Sequence, residues 1–100
     1  MNKVDHVVQL TYRFAQQIEA GLPLPEIKRR WKGINRIIKR YWRLESAKRA
    51  PENYMIDKAV ADITSLKDLS LTIEYYSDRW CRGRMWVITK AIDKLNNTAI

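Results

Sequence analysis

Histidine and cysteine are nearly absent from this chain: His6 and Cys81 are its only examples in 100 residues. A single cysteine excludes an internal disulfide and fits a reducing compartment, so a cytoplasmic location is expected. One His and one Cys cannot assemble the usual zinc sets or a nucleophile–base pair. No metal, no cofactor and no catalytic residue is therefore expected. Three glycines and three prolines, with no low-complexity tract, argue against long disordered linkers. No stretch approaches the ~20 apolar residues that a transmembrane helix needs. The opening MNKVDHVVQLTYRF has no unbroken apolar run and no small-residue cleavage site, so no secretory signal is expected.

Acid is also scarce, and in one place above all. From Ile27 to Arg49 the sequence reads IKRRWKGINRIIKRYWRLESAKR, with ten Lys and Arg against one acid, Glu45, a net charge of +9. The remaining residues carry nine bases and ten acids, so the formal +8 of the chain resides in this segment. The length suits a single domain with one modest core. The concentrated charge calls for an anionic partner, either nucleic acid or an acidic protein surface.

The apolar spacing is helical throughout. Val4, Val7, Phe14 and Ile18 share one face of a first helix over about 3–20, with Leu10 and Thr11 beside it and Gly21 as its natural stop. Pro25 suits the first position of a second helix, with Glu26 in its first turn. In that helix Ile27, Trp31, Ile34, Ile38 and Tyr41 recur at spacings of four and three, the pattern of a packed stripe. Arg29, Lys32, Arg36, Lys39 and Arg43 recur in the same way on the other side, flanked by Arg40. This helix should end near Lys48 to Ala50, because Pro51 disfavours helix before it and opens the next one. Ile56, Val60 and Ile63, with Ala59, face inward from the third helix. Ser65 with Asp68 three residues on reads as a capping box, so a break is expected near Thr64–Ser65. Leu66, Leu69, Ile73, Tyr76 and Trp80 then form a stripe that gives way, offset by one residue, to Cys81, Met85, Ile88, Ile92 and Leu95. The slip predicts a kink, a π-bulge or a short loop between Arg79 and Arg84. Asn96 and Asn97 should end the last helix. The fold class is all-α: a compact single-domain bundle of four helices, or five if the slip is a true break.

Gly33 divides two readings of the basic segment. The apolar stripe keeps its phase through it, which favours one long helix. A turn at Lys32–Gly33 would make GLPLPEIKRR…GINRIIKRYW resemble the helix-turn-helix segments of transposases and resolvases. That resemblance would put Arg29 where the motif carries a small residue and Lys28 where it carries an apolar one, and the chain is not assigned to that family.

Arg29, Lys32, Arg36, Lys39, Arg40 and Arg43 are the candidate phosphate-gripping residues. Solvated helix faces usually interleave Glu with Lys. Here same-sign neighbours repel, and a polyanion would relieve them. Trp42, Tyr75, Arg79, Arg82, Arg84 and Trp86 are the candidates for base stacking or partner contact. The expected function is that of a small, basic, non-enzymatic nucleic-acid-binding protein, regulatory or accessory. The alternative is a protein-interaction module, an inhibitor or assembly factor that docks this basic and aromatic surface on an acidic protein. An exposed Trp42 or Trp86 would want cover, which makes a homodimer a further candidate. A membrane partner is not expected, because the face opposite the charge is needed for the core.

Overall fold

The computed structural model describes residues 3–41 and 53–98. Among them it forms five helices and no strand: α1 (Lys3–Glu19), α2 (Leu24–Tyr41), α3 (Asn53–Asp62), α4 (Leu66–Tyr76) and α5 (Arg82–Thr98). The chain is thus an all-α bundle. The helices α1, α2, α5 and α4 each touch the next and close into a ring, and α3 packs on α5. None of the described helices is long and apolar enough to cross a membrane.

Each boundary has a local cause. Gly21 takes a φ of 107°, the left-handed region that an L side chain resists, and its N–H bonds to the Ile18 carbonyl at 3.1 Å. The helix α2 begins one residue before the sequence expectation. The Pro23 carbonyl accepts the first helical bond from the Ile27 N–H at 2.9 Å. Pro25 then sits in the first turn, where its missing N–H leaves nothing unsatisfied. The helix runs without interruption through Gly33, so the helix-turn-helix alternative is ruled out. The expected end of this helix at 48–50, the start of the next at Pro51, and the candidates Trp42 and Arg43 lie outside the described residues.

The break at Thr64–Ser65 is a cap. Ser65 is extended (φ −148°, ψ 166°) and its hydroxyl accepts from the Asp68 N–H at 3.1 Å. The Asp68 carboxylate in turn accepts from the Thr64 N–H (3.0 Å) and hydroxyl (2.9 Å). These bonds hold the Asp68 carboxyl below the usual carboxylate range. The phase slip is a short loop over residues 77–81, closed by an Arg79 N–H to Tyr76 carbonyl bond of 2.9 Å. Trp80 anchors that loop in the core.

The core takes Val7, Phe14 and Ile18 from α1, Ile27, Trp31, Ile34 and Ile38 from α2, and Leu69 and Ile73 from α4. In α5 the buried set is wider than one stripe. Gly83 and Val87 are buried along with Met85, Ile88, Ala91, Ile92 and Leu95, because this helix packs against α2, α3 and α4. It also continues past the expected Asn96–Asn97 stop, to Thr98. Cys81, expected inside, is only half-buried, because it lies in the loop before α5 and not on its inner face.

Several buried polar groups pair across elements. Ser70 Oγ donates to the Ala15 carbonyl at 2.9 Å and joins α4 to α1. Trp80 Nε1 points to Thr11 Oγ1 at 3.4 Å. The rings of Phe14, Trp31, Trp80 and Tyr76 follow one another at centroid separations of 6.3, 5.6 and 5.8 Å. They form one aromatic spine through the centre.

Candidate nucleic-acid interface

The stripe spacing places the two faces of α2 in opposition. Ile27, Trp31, Ile34 and Ile38 are buried, while Arg29, Lys32, Arg36, Lys39 and Arg40 are all exposed. From Arg29 to Arg40 is about 16 Å at 1.5 Å per residue. Arg29 pairs with Glu26, one turn before it. Among the described residues, Lys32, Arg36 and Lys39 make no ion pair. The neighbouring cations are placed elsewhere: Lys28 faces Asp93 at 3.7 Å, and Arg30 donates to Gln17 Oε1 at 2.9 Å.

The structure divides the second group of candidates in two. Tyr75, Arg79 and Arg84 gather at the end of α4. The Arg79 guanidinium lies 4.4 Å from the Tyr75 ring and pairs with Asp78 at 3.0 Å. Arg84 donates to the Arg79 carbonyl and lies 5.7 Å from the Tyr76 ring. Burial pushes the Tyr76 phenol up, and the Arg84 charge pulls it partly back. Beside this group Tyr12, Leu71 and Tyr75 (62% exposed) form an uncovered apolar surface on α1 and α4.

Arg82 and Trp86 belong to a different place. They line a groove of about 540 Å³ bounded by α2, α5 and, through Ile56, α3, with Asn35, Lys39, Met85 and Thr89. Trp86 is 53% exposed, and Lys90 Nζ lies 5.8 Å from its ring. The Thr89 hydroxyl spends its one proton: it accepts from Trp31 Nε1 at 2.9 Å and donates to the Met85 carbonyl at 3.0 Å. Asn35 Oδ1 is buried and has no hydrogen-bond partner among the described residues. Since Lys39 lies on both the stripe and the groove, the cationic surface continues from α2 to Arg82 on α5. Sequence reasoning passed over Asn35, which lies four residues after the inward Trp31 and four before the outward Lys39, on the border of the two faces.

No family model, curated protein or solved structure matches this chain. Among the described residues, no group of His, Cys, Asp or Glu is placed to hold a metal ion. The carboxylates of Asp57 and Asp78 face cations, Lys90 at 3.8 Å and Arg79 at 3.0 Å.

Proposed function

We propose that this protein binds nucleic acid through the outer face of α2, with Arg29, Lys32, Arg36, Lys39 and Arg40 on phosphates. The observation that carries this reading is the exposure of all five on one side of an unbroken helix whose other side is core. A rod of charge about 16 Å long matches a duplex major groove about 12 Å wide, with phosphates on both walls. Arg supplies forked phosphate contacts and Lys compact charges. The test is a salt titration of binding to duplex DNA, single-stranded DNA and RNA in parallel. Five contacts on duplex predict a slope of log K against log salt of about −4 to −5. Absence of binding to all three at low salt overturns the proposal.

A second reading rests on the uncovered Tyr12, Leu71 and Tyr75 beside Arg79. Aromatics with Arg are the residues that anchor protein interfaces. In this reading the chain docks on an acidic protein. Retention of one acidic partner after nuclease treatment, lost on Tyr75→Ala, would favour it.

A further inference from the structure

The groove bounded by α2, α3 and α5 has a composition that neither the phosphate contacts of α2 nor the core requires. Trp86 leaves half of its surface in solvent at the rim. An indole this exposed, with Lys90 Nζ 5.8 Å from its ring, keeps π-surface available for a stacked base. Lys39 and Arg82 contribute a cation from each wall. Asn35 lines the groove, and its Oδ1, shut off from water, has no hydrogen-bond partner among the described residues. Such a group is penalised unless something donates to it. The neighbouring Thr89 cannot, because its single proton goes to the Met85 carbonyl. A planar ring, an edge with a hydrogen-bond donor and a negative charge are the three properties that this groove complements together.

We infer that the groove is a pocket for one unpaired nucleotide, its base stacked on Trp86 and hydrogen-bonded to Asn35, its phosphate between Lys39 and Arg82. The volume of about 540 Å³ lies within the range of small-molecule sites. A carboxamide offers an acceptor beside a donor, the complement of the adenine N6 amino group and N7. Adenine is therefore the base expected to fit best. Because Lys39 also belongs to the α2 face, a strand held along that face can deliver an extruded or single-stranded base into the groove. This inference takes its ligand class from the nucleic-acid reading, but the pocket is testable by itself.

The experiment titrates the protein with adenosine 5′-monophosphate at low salt, followed by amide chemical-shift changes in a 15N-labelled sample. Saturable shifts are expected on Asn35, Arg82, Trp86 and Thr89. Asn35→Leu and Trp86→Leu, each checked for an unchanged melting profile, should each weaken binding about tenfold or more, the size expected for loss of one stacked base. The same substitutions should weaken a single-stranded oligonucleotide and leave a blunt duplex within about twofold. Absence of saturable binding overturns the inference, as does binding indifferent to both substitutions. Ribose 5-phosphate binding as tightly as the nucleotide overturns it too, since charge alone would then explain the affinity. Nucleotide binding without any duplex binding leaves the pocket standing and removes the proposed role of α2.

Discussion

Trp31 on α2 donates its indole N–H to Thr89 Oγ1 on α5 at 2.9 Å, joining residues 58 apart in sequence. Trp31 is 3% exposed, so this nitrogen has no water to turn to. The bond fixes how the basic helix lies against the helix that carries Trp86.

Thr89→Val keeps the shape of the side chain and removes the acceptor. It should destabilise the fold by about 1–3 kcal/mol, the penalty of an unsatisfied buried donor. A urea melt should show a lower midpoint at unchanged slope.

Triple charge reversal, Arg29→Glu, Lys32→Glu and Arg36→Glu, removes three of the five proposed phosphate contacts from exposed positions. The salt slope for duplex DNA should fall to about −2, with a loss of affinity of at least about 100-fold at moderate salt. Circular dichroism should remain helical. An unchanged slope would refute the α2 interface.

Two glycines should respond in opposite directions. A Cβ at Gly33 meets no atom within 4 Å and the site is exposed mid-helix, so Gly33→Ala should stabilise by about 1 kcal/mol. In a domain of this size that corresponds to about 4–8 °C in melting temperature. Gly21 has a φ of 107°, so Gly21→Ala should destabilise by about 1–2 kcal/mol despite equally open space.

The cap of α4 makes part of the stability depend on pH. The Asp68 carboxyl is lowered by its bonds from Thr64, so its contribution is present above the unfolded carboxylate value of about 3.9. It is lost as the pH falls through the lower folded value. Melts from pH 7 to 2 should show that loss below about pH 4, and Asp68→Asn should remove it. Ser65→Ala should cost about 1 kcal/mol at pH 7 through the cap itself.

Local rules were enough for much of the fold. Gly21 and the Ser65–Asp68 cap are governed by the backbone within four residues, and α2 declares both of its faces by spacing alone. The groove was not legible in that way. Asn35 among lysines and arginines reads as one more surface residue, and nothing in α5 marks Arg82 and Trp86 as its neighbours. Their meeting depends on how α2 and α5 cross, which side-chain packing decides. For the same reason the stacking candidates between Tyr75 and Trp86 separate into two places, because the loop over 77–81 divides α4 from α5. The buried hydroxyls of Thr11 and Ser70 belong to this class too, since their value lies in partners on other helices or turns.

Ile27, Trp31, Ile34 and Ile38 act on the far side of α2 as the graduations of a ruler. Their seats in the core set the distance and bearing from one cation to the next. One residue inserted between them would swing everything beyond it by about 100° around the axis. Isoleucines would then face solvent and arginines the interior. The length of this stretch is therefore held constant by the core, while the identity of each outward side chain stays free to vary. Any partner of α2 meets a charge array whose pitch is set by packing it never touches.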